Sequence, residues 1–410
     1  MRIAFLTPEY PSESPSHGQG LGTYVYRMAC VLTQSGHEPE IFVSSRHCSQ
    51  AFHHNGIRVH RINWREREPL LRLFSSDGKT GGLNQPTSHA RKSFDYLRRW
   101  RSVLSTLVKA RALAAMLERR DAEAPFSVVQ SSDYQAAGLF VRHRPDRVHI
   151  VRCSSAADLY NRVEGASSKH ERFSAYLERL SIKRADLAYA PSIYIAKHFR
   201  DTHGMDVRVI RPPKFLEIQN SSPPTVSLPS RFFFHFGQLS VRKGSNLLAQ
   251  VLPLAWKIVP DLTMVWSGNC SDAQLRYWRS LWGTRAEQVQ ITGPLPKAEI
   301  YAILRKADVA VLPSQADNLP NTVIESLMCG IPVIGSRGAS IDELVTENQN
   351  GHLVELGDMH GLAQALVSMW RRESPVCKGF HWNAAIAEEM RPDRAVANLL
   401  GLCVDLNVRD

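Results

Sequence analysis

Residues 313–335 read PSQADNLPNTVIESLMCGIPVIG, and the order of residue types prescribes a strand-to-helix corner followed by a return to strand. Pro320 stands where a helix starts and Gly330 where it stops, so the spacing predicts a short helix over 320–329 closed before a strand at Ile331–Gly335. Asn318 or Asp317 would cap it by accepting backbone N–H bonds. The preceding run ADVAVL (307–312) reads as a buried strand whose carboxyl end delivers the loop. In open α/β sheets such a corner binds ligands, with the helix N-terminus presented to anions. Asp317 and Glu325, eight residues apart, are then either ligand-directed carboxylates or surface groups on an ordinary capped helix; spacing alone leaves both readings open.

Outward from this corner, short apolar runs alternate with helical patterns. A first series comprises Ile3–Leu6, Ile41–Ser44, Val128–Gln130, Ile150–Arg152, Leu187–Ala190 and Val207–Arg211. A second begins at Phe232–Phe236 and continues through Thr263–Ser267, Val289–Thr292, Val309–Leu312 and Ile331–Gly335. Strands separated by helix-length segments imply right-handed βαβ units and parallel sheets. The proline-rich stretch PPKFLEIQNSSPPTVSLP (212–229) divides the two series, which predicts two doubly wound α/β domains, 1–212 and 229–391, joined by a linker at 213–228. Arg65–His89 has weak periodicity and reads as a long insertion, and Pro392–Leu406 reads as a final helix.

A chain of 410 residues is long for one core, and 43% apolar with 22% charged residues is ordinary for a soluble globular protein. No run reaches the roughly 18 apolar residues of a membrane span, and the N-terminus reads as a first buried strand rather than a signal peptide. The seven cysteines (30, 48, 153, 270, 329, 377 and 403) are scattered and contain no CxxC pair. That predicts reduced thiols in a cytoplasm rather than a disulfide frame or a zinc site. The net charge of +11 is unevenly placed: Arg58–Arg120 holds fifteen Lys or Arg against five acids. Such a basic stretch suits anionic lipid, a phosphorylated substrate or nucleic acid, or is simply a solvated helix face. Nucleic acid is the weakest of these, because no recognisable nucleic-acid module or interleaved stacking aromatics occur there.

Two further constellations sit at strand ends. After the first strand comes TPEYPSESPSHGQGLGTY and then a helix from about Thr23 to Ser35. Gly18, Gly20 and Gly22 let a backbone approach a ligand, or serve packing at a βα turn. FGQLSVRKG (236–244) places Arg242 and Lys243 beside a glycine at another strand end, a pair suited to an anionic group or to a solvated turn. GASIDELVTENQNGHLVELGD (338–358), with Glu343, is assigned mainly to structure.

With these residues in hand, the chain resembles the family-4 retaining glycosyltransferases with the GT-B fold. The likeness rests on HGQGLGTYVYRMACVLTQSGHEPEIF, FGQLSVRKGSNLL, ADVAVLPSQADNLPNTVIESLMCGIPVIG and ENQNGHLVELGD, which follow one another in the family's order from Met1 to about Trp382. The resemblance implies two Rossmann-like domains with parallel sheets facing a cleft. The C-terminal domain would hold a nucleoside-diphosphate sugar, the N-terminal domain would supply most acceptor contacts, and the helix at about 392–410 would cross back to the N-terminal domain. It also implies transfer to an acceptor hydroxyl of a glycan or glycolipid without a metal cofactor, cations and helix dipoles stabilising the departing diphosphate.

Carried over residue by residue, Asp317 takes the first acidic position of the family's Glu-x7-Glu pattern, beside the transferred sugar, and Glu325 the second, on the ribose hydroxyls. Asn318, Leu319, Pro320 and Asn321 fill the turn whose amides meet sugar or phosphate; Lys243 matches the diphosphate-binding lysine, Gly20 the glycine of the N-terminal loop, and Leu295 the position near the nucleobase. Four departures stand out: Asp for Glu at 317, Pro320 without a backbone donor, Gln238 in place of a diphosphate-binding arginine that Arg242 would replace, and Ser154 where the family has a histidine.

The resulting expectation is a metal-independent hexosyltransferase of polysaccharide or glycolipid synthesis, with Asp317 and Lys243 at the reacting centre and no nucleic-acid partner. A catalytically silent GT-B protein that binds a nucleotide sugar or a partner is the competing reading. A Rossmann dehydrogenase is disfavoured because no convincing acidic ribose-binding residue follows a strand about 20 residues after the glycines. Arg91, Lys92, Arg98, Arg99 and Arg101, interleaved with Phe94, Leu97 and Trp100, are expected to contact an anionic membrane at its cytoplasmic face, or else to face water while the apolar groups pack inward.

Overall fold

A computed structural model describes residues 1–13, 20–67, 88–165, 168–214, 223–376 and 384–407, the side chains at 67, 88–98, 384 and 404–407 excepted. Gly18, Arg91, Lys92, Phe94, Leu97, Arg98 and Cys377 therefore lie wholly or by side chain outside the described residues, as do 68–87 of the expected insertion and 215–222 of the expected linker.

The N-terminal half forms a sheet from β1 (Arg2–Thr7), β2 (Glu38–Ser45), β3 (Gln50–His54), β4 (Ile57–Asn63), β5 (Val128–Ser132), β6 (Val148–Arg152), β7 (Leu187–Ala190) and β8 (Arg208–Val209). Their spatial order is β3-β4-β2-β1-β5-β6-β7-β8. The second sheet holds β9 (Phe233–Phe236), β10 (Met264–Ser267), β11 (Val289–Ile291), β12 (Val309–Leu312), β13 (Val333–Ser336) and β14 (Gly351–Val354), in the order β11-β10-β9-β12-β13-β14. Every named pair is parallel except β3–β4.

That exception corrects an all-parallel expectation for the first sheet. β3 and β4 are a hairpin about Asn55 and Gly56, both at positive φ (50° and 82°). Such a pair matches the twist of the flanking strands and turns the chain back within two residues. β14 is likewise an addition, and β8 is shorter than the expected Val207–Arg211. The first helix runs Gly20–Gln34, starting three residues before the expected Thr23, so Gly20 and Gly22 belong to its first turn.

Helices cover both faces of each sheet, as a parallel sheet with two apolar faces requires. Beneath β1 and β2, Ile3, Phe5, Met28 and Ile41 are fully buried, and Ala395, Leu399 and Leu402 of the helix Pro392–Asn407 pack into the same core. The last helix thus spans back from the second sheet to the first. The second sheet sandwiches Phe233, Trp266 and Trp278 on one face and Phe234, Phe236 and Val323 on the other. Burying such large side chains contributes roughly 1.5–3 kcal/mol each. The six cysteines among the described residues are free thiols.

One ion network in this frame predicts an acid response. Glu40, on β2, accepts from His60 (2.7 Å), from Arg120 (3.0 and 3.1 Å) and from Arg2. Burial would raise its carboxyl, but these donors outweigh that and bring it down to about 2. A depressed acid stabilises the fold above its unfolded pKa, near 4.5, and loses that contribution as pH falls towards 2. Its loss amounts to about 3 kcal/mol. Glu40→Gln is therefore expected to lower stability at pH 7 and to flatten the stability–pH curve between pH 4.5 and 2, measured by denaturant unfolding at stepped pH.

Candidate active site

A cavity of about 890 Å³ opens between the two sheets. Its lining comes from segments just beyond strand carboxyl ends: Glu9 and Gly20 after β1, Tyr134 after β5, Ser154 after β6, Gly237–Lys243 after β9, Gly268–Ser271 after β10, Leu295 after β11 and Asp317–Thr322 after β12. β1 has β2 on one side and β5 on the other, and β9 lies between β10 and β12. Crossovers leave in opposite directions at these points, which opens a crevice where no connection covers the strand ends. Among the described residues six cations line it (Arg27, Arg152, Lys214, Arg242, Lys243 and Lys297) against three carboxylates (Glu9, Asp317 and Glu325).

The second domain's wall is built around Asp317. Its Oδ2 pairs with Lys243 Nζ and accepts from Ser314 Oγ at 3.3 Å, while Oδ1 accepts the Asn318 backbone N–H at 2.9 Å. Arg242 Nη1 stands 3.7 Å from Asp317 Oδ1, and its guanidinium lies 4.6 Å from the Tyr160 ring centroid of the first domain. Burial works to raise the Asp317 carboxyl, and the Lys243 and Arg242 charges more than cancel it, so the carboxyl sits below its usual range. Burial pulls the Lys243 ammonium down, opposed by Asp317. The pairing favours the charged forms, each ion satisfying the other at a partly buried wall of the cavity. Gly244 follows at φ 77°, where an added Cβ would meet the Pro313 carbonyl at 1.9 Å. Only glycine lets the β9 loop press Lys243 against the β12 loop in this way.

The turn 317–320 differs from its sequence expectation in one respect. Neither Asp317 nor Asn318 caps the helix Asn321–Met328; Pro320 occupies the N-cap position and no side chain accepts there. The two side chains are drawn elsewhere, Asp317 to Lys243 and Asn318 across the cleft. Asn318 Nδ2 donates to the Cys153 carbonyl at 2.9 Å, and Ser192 Oγ donates to Asn318 Oδ1 at 3.0 Å. Leu319 takes a left-handed φ of 53°, held by its N–H on Ser340 Oγ at 2.7 Å. A branched residue there costs of order 1–3 kcal/mol and marks a turn shaped for something besides stability. Glu325, one turn into the helix, accepts from Tyr301 OH at 3.3 Å.

On the first domain's wall, Gly20 lies so near Asn321 that an added Cβ would stand 3.3 Å from its Nδ2. Ser154 is pinned by Asp133, whose Oδ1 accepts the Ser154 N–H (2.6 Å) and the Ser155 N–H (3.1 Å). Burial pushes the Asp133 and Glu178 carboxyls well above their usual range. Arg152 donates to Ser154 Oγ at 2.6 Å and lies 4.0 Å from the Tyr24 ring centroid, and its buried Nε has no hydrogen-bond partner among the described residues. A guanidinium thus borders the place where the resemblance implies an imidazole. Lys214 is half-buried and bonded to Asn321 Oδ1; desolvation and neighbouring Arg27 pull its ammonium down. At the cleft's edge, Glu343 of the second domain accepts from Ile193 N (2.9 Å), Tyr194 N (2.8 Å) and Arg211 (2.7 Å) of the first.

The twelve residues assigned to the site from the sequence (Gly20, Ser154, Gln238, Arg242, Lys243, Leu295, Asp317, Asn318, Leu319, Pro320, Asn321 and Glu325) line this one cavity, whereas Gly22 packs against the Tyr10 backbone, 3.2 Å from where a Cβ would stand. Sequence reasoning passed over Arg27, Arg152, Lys214, Tyr160 and Lys297, which line it too. Arg152 ends a predicted strand and Lys214 follows two prolines at a strand end, positions that a systematic search of strand carboxyl ends finds. Arg27 lies within a helix, and nothing local marks it.

A cationic crevice between two doubly wound sheets suits an anionic ligand, and comparison with known proteins gives the family. Residues 19–213 match the model described as glycosyl transferase 4-like domain, and residues 230–372 match that of glycosyl transferases group 1. The chain belongs to this family of GT-B glycosyltransferases. It is 23% identical to a D-inositol 3-phosphate glycosyltransferase of Paenarthrobacter aurescens over 97% of this chain and 99% of that one. It is 29% identical to a phosphatidyl-myo-inositol mannosyltransferase of Mycobacterium leprae over 38% of this chain, spanning under half (44%) of that relative. Among solved structures, a sucrose-phosphate synthase from Thermosynechococcus elongatus superposes over the whole of both chains with a TM-score of 0.72 at 16% identity. Anabaena HepE in complex with UDP-glucose superposes with a TM-score of 0.63 at 16% identity, covering 99% of this chain and 100% of that one.

Proposed function

We propose that this glycosyltransferase moves a hexose from a nucleoside-diphosphate sugar to an acceptor hydroxyl with retention of anomeric configuration, in the synthesis of a glycolipid or polysaccharide. The observation that carries the reading is the Lys243–Asp317–Arg242 cluster at the mouth of an uncapped helix N-terminus, inside a cleft lined mainly by cations among its described charged residues. The diphosphate meets Lys243, Arg242 and the first turn of Asn321–Met328; Glu325 takes the ribose, Leu295 borders the base, and Gln238 and Gly20 flank the phosphates. Asp317 and the 318–321 turn hold the sugar. The acceptor oxygen attacks from the face the diphosphate leaves: the anomeric C–O bond to phosphate breaks, the new glycosidic bond forms, and the acceptor proton passes to the departing phosphate oxygen. Protein cations supply the charge that a metal would otherwise bring, so transfer needs no metal cofactor. Fixed charges of this kind often account for most of an enzyme's rate enhancement.

The test is a donor screen with UDP-, GDP- and ADP-sugars, UDP-glucose first because HepE was solved with it. Slow release of sugar from one donor, undiminished by a chelator, supports an enzyme and names the donor. Tight binding of every such donor with no turnover, acceptor present or absent, replaces it by the binding-only reading that Ser154 and Gln238 favour.

The reading extends to a cytoplasmic protein working at a membrane surface. No helix among the described residues is long and apolar enough to cross a membrane. Of the expected basic face, Arg99 is exposed and Trp100 is half-buried, its ring 5.8 Å from that of Phe173. Leu104, Phe173 and Tyr176 remain exposed at 50, 38 and 50% beside it. Each cation near an anionic leaflet contributes about 1 kcal/mol. Co-sedimentation with anionic vesicles is therefore expected at low salt and lost at high salt, with Arg99→Glu/Arg101→Glu weakening it several-fold. Equal binding to neutral vesicles, or indifference to salt, refutes membrane attachment.

A further inference from the structure

Away from the cleft, the helices Ala157–Val163 and Ile193–His203 bring three side chains to one point. His198 Nε2 lies 3.2 Å from each oxygen of Asp158, and His203 Nε2 lies 2.8 Å from its Oδ2. The three donor atoms all fall within 4.8 Å of one another. None of these residues lines the cavity, and no step of the proposed transfer uses them.

Several features of the cluster point beyond a hydrogen-bonded trio. Both imidazoles direct the same nitrogen, Nε2, at one carboxylate. The side chains are 9, 17 and 22% exposed for His198, His203 and Asp158, shielded yet open to an entering ion. The site also lies at the carboxyl end of Ile193–His203, where the helix dipole favours a cation.

We propose that Asp158, His198 and His203 bind one zinc-class divalent cation, with water completing a tetrahedron. Bond lengths near 2.0–2.2 Å put tetrahedral donors roughly 3.4 Å apart, so the two histidine–aspartate spacings of 3.2 and 2.8 Å open slightly on binding, while the imidazole nitrogens already lie within 4.8 Å of each other. Two imidazoles and one carboxylate select zinc and its neighbours over magnesium or calcium, which prefer oxygen. The ion would tie together two helices that each reach the domain boundary: Ala157–Val163 carries Tyr160 against Arg242, and Ile193–His203 receives Glu343 at its first turn.

The test uses the full chain stripped of metal and titrated with Zn²⁺ against a chromophoric chelator. Wild type is expected to bind one more ion than His198→Gln/His203→Gln, and Asp158→Asn to bind that ion more than about 10-fold more weakly. Co²⁺ should give wild type a visible tetrahedral absorption that the double variant lacks, while Mg²⁺ competes for neither. Circular dichroism establishes that the variants fold; if the double variant does not, His203→Gln alone serves the same comparison. Equal ion counts and equal Co²⁺ spectra in wild type and variant overturn the site. Since the readout is metal binding, it stands or falls separately from glycosyl transfer.

Discussion

Lys243→Ala is expected to weaken nucleoside-diphosphate binding about ten- to a hundred-fold while leaving nucleoside binding nearly unchanged. A charge-assisted hydrogen bond to phosphate is worth about 1.5–3 kcal/mol, and a nucleoside has no phosphate to lose it. The fall in kcat/KM for transfer is larger, about 10²–10³-fold, because negative charge grows on the leaving diphosphate as the bond breaks. The structure adds a complication that the experiment exploits. Lys243 also neutralises buried Asp317, so alanine leaves a carboxylate short of its nearest partner and destabilises the fold. Lys243→Ala/Asp317→Asn removes both charges and is expected to regain much of that stability without regaining diphosphate affinity. Calorimetric titration with the diphosphate, paired with thermal unfolding, separates the two effects. Equal diphosphate affinity in wild type and Lys243→Ala takes Lys243 out of the donor site.

The carboxylates at 317 and 325 are expected to fail differently. Glu325→Gln weakens nucleotide binding about ten-fold, through the ribose hydroxyls, with kcat within a few-fold of wild type. Asp317→Asn keeps the side chain's shape and the bond from Asn318 N–H, yet removes the charge that orients Lys243 and Arg242. Its kcat and kcat/KM should fall together, by about 10²–10³-fold, the pattern of an interaction made in the transition state. Freed from its partner, Lys243 is available to the ground-state diphosphate, so donor KM is expected to stay level or drop. Steady-state kinetics with the donor found in the screen decide the matter. A rise in KM alone for Asp317→Asn, with loss of kcat alone for Glu325→Gln, exchanges the two roles.

Much of the frame was legible along the chain because its code is local. Alternating apolar runs and helix-length segments announced both parallel sheets, and the Pro320–Gly330 punctuation announced the corner after β12. The hairpin of β3 and β4 has a local signal too, in Asn55-Gly56, a dipeptide that makes a two-residue turn, but a reading tuned to βα units passes over it. The capping expectation at Asp317 and Asn318 failed for a different reason. A cap is a local option, worth about 1 kcal/mol, and a partly buried lysine or a carbonyl across the cleft offers those side chains more.

Residue order alone settles which residue types stand at which strand ends: glycine at 20 and 244, cations at 242 and 243, carboxylates at 317 and 325. Periodicity and turn chemistry act over a few residues and can be read residue by residue. Which of those ends meet is a matter of three dimensions. Lys243 pairs with Asp317 across 74 residues, Asn318 with Cys153 across 165, and Glu343 with Ile193 across 150. Asp158 finds His198 across 40. Those contacts depend on strand order and on how one sheet faces the other, and both are set by the burial of two whole cores rather than by any pattern within the segments that touch.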